Sequence, residues 1–328
     1  MRRLSKARYI FAALMTAVVS LHAVNAISQE SADDVKIWLD RMNLAVEQLN
    51  YRGTYVHVVD GNAETLDIAH RYADGSVHER ISSSSGAGPE ISRTADGVRS
   101  VFPEKRLGMI EAPEGSSIPV ASSLNYTNEL ARYYQMTTFP KGRTADRDTQ
   151  VVSIRARDEF RYGYLLWLDT ESALPVKMQV RDEAGNVIES ILFTELEVLE
   201  SIPDFAVAPL VSAEGFTWKG PVEAELDAPS NEIWGATRLP NGFGLAESRL
   251  SLLAGSKYPV QHLVYTDGLA TVSVFIAHPL SDADMPEGFS RFGSTNAYSL
   301  KIDGRLATAM GDVPRLTVQR IATSLDAR

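Results

Sequence analysis

Three Asp-Gly pairs fall between Tyr51 and Phe102, at 60–61, 74–75 and 96–97, and each sits between short runs of extended character. Glycine takes the positive φ that a two-residue hairpin turn demands, so Asp-Gly between β-rich runs marks a reversal of chain direction. Three reversals in under fifty residues leave little choice but an antiparallel meander. The runs are Tyr51 to Val59, Thr65 to Tyr72, Val77 to Ile81, Ile91 to Thr94 and Val98 to Phe102, with Leu107 to Ile110 as a further strand and Ser82 to Gly88 as a loop. Thr149 to Arg157, Arg161 to Leu168, Pro175 to Arg181 and Asn186 to Val198 continue the pattern, the last two joined by Ala184-Gly185-Asn186.

A sheet needs something to pack on. Val35, Trp38, Leu39, Met42, Ala45, Val46 and Leu49 recur at helical spacing ahead of the first strand, and Ser31 with Asp34 resembles a capping box. Leu124 to Met136, with Leu130, Tyr133 and Tyr134, predicts a second, short helix that starts near Asn125 or Thr127. The large domain is thus about ten strands with two helices.

The first 26 residues stand apart. Arg2, Arg3, Lys6 and Arg8 precede the apolar run Tyr9 to Val19, and Val24-Asn25-Ala26 ends in small residues at the cleavage positions. This is the three-part secretory signal; the run is too short to span a bilayer, which takes ~20 apolar residues. The expectation is a signal peptide over 1–26 and export of the remainder. Taking those four basic residues from the 32 leaves 28 against 42 acidic ones, a charge of −14. A nucleic-acid partner is not expected, since such proteins carry a basic footprint. The chain has no cysteine, which excludes disulfides and thiolate metal sites.

The domains predicted are 27–206, a connector over 207–230 holding Pro209, Pro221 and Pro229, and a smaller α+β domain over 231–328. Within the connector, Phe216-Thr217-Trp218 is a docked or strand-forming piece. In the smaller domain, Val260 to Tyr265 and Thr271 to Ala277 form a hairpin around Asp267-Gly268. Asn296 to Ile302 and Arg305 to Met310 form another around Asp303-Gly304, and Val313 to Leu325 is a closing helix.

No nucleophile elbow, phosphate loop or zinc helix is present. His57, His70 and His78 lie on three consecutive strands, but no short ligand pair such as HxH occurs, and metal sites need convergent ligands. The acid pairs 33/34, 158/159 and 182/183 adjoin turns or a helix start and read as solvated turns. No catalytic residue, metal or cofactor is expected.

One segment is unusual. Arg161-Tyr162-Gly163-Tyr164-Leu165-Leu166-Trp167-Leu168-Asp169 is apolar on both strand faces: Tyr162, Tyr164, Leu166 and Leu168 on one, Leu165 and Trp167 on the other. A sheet with one wet face alternates, so both faces need a cover. This is either a core strand of a curved sheet or the wall of a hydrophobic cleft, with Gly163 marking a bend or close approach.

That segment, continuing to Leu174-Pro175-Val176-Lys177, resembles the MucB/RseB family, negative regulators of the envelope-stress sigma factor. So do Trp38-Leu39-Asp40-Arg41-Met42 through Thr54-Tyr55-Val56, Trp234, Leu239-Pro240-Asn241-Gly242-Phe243 and Tyr265-Thr266-Asp267-Gly268-Leu269-Ala270. The resemblance covers nearly the whole exported chain, in order. It implies a mostly antiparallel α+β fold, with an unclosed LolA/LolB-like β-barrel packed on helices and a smaller C-terminal domain. It implies a periplasmic protein, not an enzyme, that binds the periplasmic domain of a transmembrane anti-sigma factor of the MucA/RseA type. There it protects that domain from site-1 proteolysis and is released by lipid or lipopolysaccharide; self-association as a homodimer is also implied. A lipid or lipoprotein carrier of the LolA/LolB type is the alternative. From apolar content, Phe102, Tyr133, Tyr134, Tyr164 and Trp167 are the candidates for a lipid cleft. Tyr265 and Phe275 are the candidates for the partner surface.

Overall fold

The computed structural model describes residues 34–86, 88–111, 127, 129–212, 214–219, 234–251, 259–277 and 286–327. The signal assigned to 1–26, the cap at Ser31 and much of the connector lie outside them.

The leading stripe forms helix α1 over 34–48, which buries Val35, Leu39, Met42, Ala45 and Val46. Fully burying the valine, leucine and methionine side chains contributes roughly 1.5–3 kcal/mol each. Their partner is the inner face of one large sheet. Its strands are β1 Asn50–Val59, β2 Asn62–Ala73, β3 Ser76–Ser83, β4 Glu90–Thr94, β5 Gly97–Phe102 and β6 Leu107–Glu111. They continue with β7 Tyr134–Thr144, β8 Arg147–Ala156, β9 Gly163–Asp169, β10 Pro175–Arg181, β11 Val187–Leu199 and β12 Thr217–Lys219. The order across the sheet is β12-β6-β5-β4-β3-β2-β1-β11-β10-β9-β8-β7, so β12 and β7 are unjoined edges and the sheet is open. Neighbours are antiparallel except β12, which runs parallel to β6.

Turn chemistry explains the hairpins. Asp60-Gly61, Asp74-Gly75 and Asp303-Gly304 all have positive φ at both residues, as the primed turn requires. Asp96-Gly97 differs: the loop is Ala95-Asp96 and Gly97 opens β5. The stretch expected to be helical over Leu124 to Met136 narrows, among the described residues, to α2, Leu130–Tyr133. Thr127, one of the two residues expected near its start, accepts the Leu130 N–H with Oγ1 at 3.3 Å. Tyr134 then enters β7, a strand the sequence reading did not include. Pro140 is tolerated there because β7 is an edge, and Ala145-Asp146 make the turn to β8 at φ 51 and 58 without a glycine. The expected piece at Phe216-Thr217-Trp218 supplies β12. Trp218 covers Gly108 so closely that a Cβ there would lie 2.4 Å from the indole.

After α3 (Asp204–Val207) and the connector comes the second sheet: β14 Gly244–Ser251, β15 Val260–Thr266, β16 Thr271–Ile276, β17 Gly288–Phe292, β18 Thr295–Ile302 and β19 Arg305–Gly311, in the order β14-β15-β16-β19-β18-β17. Helix α4 (Arg315–Ala322) starts after Pro314 and packs Val318, Ile321 and Ala322 on this sheet. The residues expected to extend it to Leu325 instead form β20 (Leu325–Ala327), paired with β13 (Trp234–Ala236). The fold is therefore the expected one: mostly antiparallel β, a large unclosed sheet packed on a helix, and a smaller α+β domain.

Candidate functional site

The strand expected from Arg161 starts only at Gly163, which leaves Arg161 and Tyr162 in the preceding loop. Arg161 is turned inward there and is 0% exposed. An arginine can be buried only if every donor is satisfied and its charge is balanced. Its Nε donates to Asp267 Oδ2 at 2.5 Å, one terminal nitrogen donates to Asp158 Oδ2 at 2.5 Å, and the other donates to the Asn241 carbonyl. Rings of Tyr133, Tyr134 and Phe243 surround the guanidinium at 4.7, 5.8 and 4.9 Å. Asp267 and Asn241 belong to the second domain, so this cluster is the joint between the domains.

The turns that supply them are built for the task. Asp267 Oδ1 accepts the N–H groups of Leu269 and Ala270 at 2.9 and 2.7 Å, which fixes the loop and leaves Oδ2 for Arg161 and for the Tyr134 hydroxyl at 3.0 Å. Burial foremost, then the Asp267 charge, pushes the Tyr134 pKa far above its ordinary value, so it stays a donor. Gly242 lies flat against Tyr133 at φ +89, where a Cβ would sit 2.4 Å from the ring. Leu269, at the tip of the hairpin, enters the large domain's core. Nearby, Asn296 donates to the Tyr162 hydroxyl at 2.8 Å and Thr317 to the Phe160 carbonyl at 2.7 Å.

A second contact lies at the end of β1 and the start of β11. Asp60 accepts from Arg291 at 3.0 Å and from the Gly293 N–H at 3.1 Å. Glu189 accepts the Ser294 N–H at 3.3 Å and pairs with His57 Nε2 at 2.8 Å. Burial alone would raise the Glu189 pKa, but the hydrogen bonds from His57 and Ser294 outweigh it and the net shift is downward.

The seven sequence candidates do not share one site. Tyr133 and Tyr134 meet at the joint. Tyr164 points into the core beneath α1, and burial raises its pKa. Trp167 is on the opposite face of the same strand, half-buried, with Lys177 Nζ 4.5 Å from its ring. Phe102 ends β5, many strands away, with Lys105 at 6.0 Å. Tyr265 is buried in the second domain, where its hydroxyl accepts the Ala236 N–H at 2.7 Å. Phe275 lies on the other face of that sheet and stacks on His262 at 4.4 Å. His57, His70 and His78 bond separately to Glu189, the Leu49 carbonyl and Ser76. Arg161, Asp267, Asn241, Asp60 and Glu189 were not among the candidates. Their one sequence signal is that three of them fall inside the segments quoted for the family resemblance.

These features define a class: a two-domain, mostly antiparallel β protein whose most distinctive segments hold an open sheet against a smaller domain. The chain belongs to the MucB/RseB family; the model of the MucB/RseB N-terminal domain matches residues 34–211 and that of the MucB/RseB C-terminal domain matches residues 228–326. It is 30% identical over 317 residues to the sigma factor AlgU regulatory protein MucB of Pseudomonas aeruginosa, covering 93% of this chain and 95% of that one. It is 28% identical over 296 residues to the sigma-E factor regulatory protein RseB of Escherichia coli K12, covering 88% and 89%. A solved MucA/MucB complex of P. aeruginosa matches with a TM-score of 0.67 and 28% identity, over 89% of this chain and 98% of the matched chain. MucB in complex with MucA(peri) matches with a TM-score of 0.64 and 30% identity, over 88% and 97%.

Proposed function

We propose that the protein is a periplasmic regulator that binds the periplasmic domain of a transmembrane anti-sigma factor and shields it from site-1 proteolysis. Lipid or lipopolysaccharide released by a stressed envelope ends that binding. The observation that carries the reading is the likeness, along nearly the whole chain, to a protein solved together with MucA. The architecture suits it. An open sheet offers edges and faces for an extended segment, and coupling needs only that lipid favour an arrangement that binds the partner less well. Domains over 27–206 and 231–328 joined by 207–230, and a homodimer, are part of the same reading.

The test mixes the purified protein with the periplasmic domain of the anti-sigma factor encoded beside its sigma factor, then adds the site-1 protease. Saturating protein should slow cleavage, and added lipopolysaccharide should restore it. Equal cleavage with and without the protein refutes the proposal. Transfer of lipid to acceptor vesicles with no protection would favour a carrier instead.

A further inference from the structure

The outer face of β8, β9 and β10 reads in rows across the strands. Val151, Trp167 and Lys177 form one row, and Ser153, Leu165 and Gln179 the next. In the third, Gly163 pairs with Arg181 on one side and lies against Arg155 on the other, with its Cβ position 3.6 Å from the Arg155 Cα. The glycine thus leaves a slot between two arginine side chains, and the slot opens into a cleft of ≈ 530 Å³ that Arg157 also lines. Among the described residues, Arg155 and Arg157 make no side-chain hydrogen bond or ion pair. Arg181 bonds only Gln179, at 2.7 Å, and its buried Nε is unsatisfied. The nearby acids are largely engaged: Asp158 by Arg161 and Asp182 by Asn186, which leaves Glu183 on the rim. Two guanidinium groups without a partner, and a third held only by Gln179, therefore line one recess on an otherwise acidic chain, beside half-exposed Leu165 and Trp167.

We infer that this face binds an acidic, extended segment of the partner polypeptide, with a carboxylate seated between Arg155 and Arg181 and apolar side chains lying over Leu165 and Trp167. The inference rests on the regulatory reading and assigns it a surface. Alternate residues of an extended chain are about 7 Å apart, the same spacing as the rows beneath them. A segment laid along β9 thus presents apolar, apolar and acidic side chains at every second position. Arginine forks match carboxylates in bidentate geometry. The recess favours a peptide over an anionic membrane: its basic groups sit inside a cleft with an acid on its rim, and the exported chain is strongly negative overall.

The test titrates the purified anti-sigma periplasmic domain into the full exported protein by calorimetry, for wild type, Arg155→Glu, and Arg155→Glu with Arg181→Gln. Circular dichroism melts accompany each protein. The exposed Arg155 can be reversed without loss of folding and should weaken binding severalfold. The double variant should weaken it about tenfold or more, and added salt should narrow the difference. Unchanged affinity in both variants, with wild type binding normally, overturns the inference and leaves the regulatory reading intact. Arginine-dependent binding seen only with phosphatidylglycerol vesicles overturns it in favour of lipid. Failure of wild type to bind the domain removes both.

Discussion

Arg161 offers the sharpest test of how the domains are held. Replacing it with methionine keeps much of the stem volume but removes every donor. Asp267, itself 0% exposed at its side chain, would keep bonds from Tyr134, Leu269 and Ala270 yet lose the one counter-charge it has among the described residues. Removing one member of a buried ion pair costs about 3–5 kcal/mol, mostly for stranding the other. Three ring contacts are lost as well, although methionine recovers part of that packing. The expected loss for Arg161→Met is therefore about 3–5 kcal/mol, read by urea denaturation followed through tryptophan fluorescence. Arg161→Met combined with Asp267→Asn should recover at least about 1.5 kcal/mol relative to the sum of the singles, because the amide still serves the turn and the fully buried charge is gone, while Asp158 is partly exposed to water. A loss below about 1 kcal/mol, or strict additivity of the two substitutions, would refute the assignment of this pair as the anchor of the joint.

Two further outcomes follow from contacts at the joint and within the large sheet. Gly242→Ala meets both a positive φ and the Tyr133 ring. It should cost about 1–3 kcal/mol and raise the radius of gyration in X-ray scattering as the domains part, with each domain still folded. Acidification should act in two steps. Burial lowers the His70 pKa despite the opposing Glu79 charge, so the unfolded state takes up its proton first. Stability is full above the unfolded histidine pKa of about 6.5 and declines below it. Glu189, whose pKa is depressed, contributes stability above the unfolded carboxylate pKa of about 4.3 that is lost as pH falls through its folded value. Melts across pH should show both declines, with the lower one smaller in Glu189→Gln, since Asp182 and Asp204 also have lowered pKa values.

The hairpins were legible because their causes are local: a glycine at positive φ between β-branched runs needs no distant information. β7 was not legible, because Pro140 argues against a strand until its edge position is known, and Ala145-Asp146 carries no glycine. The piece at Phe216-Thr217-Trp218 was legible, but not its partner, since β12 pairs in parallel with a strand over a hundred residues earlier. The joint was hidden for a similar reason. Asp267 and Asn241 sit in turn sequences whose ordinary place is the surface, and an arginine carries no local sign that it is buried. Only the meeting of segments 106 residues apart makes Arg161 internal. Choosing candidates by apolar content found the aromatic rings at this junction and passed over the charges they enclose.

The edge position of β12 has a mechanical consequence. β12 ends at Lys219 and β13 begins at Trp234, so this margin leads by covalent continuity into the second domain. At the opposite margin, α2 and the first residue of β7 grip the second domain through Tyr133 and Tyr134. Both free margins of the open sheet are thus tied to one body, the first by the chain itself and the second by side-chain contacts. Any change that spreads the two margins of the sheet must therefore be met at the Arg161 joint, where Tyr133 and Tyr134 meet Asn241, Gly242 and Asp267.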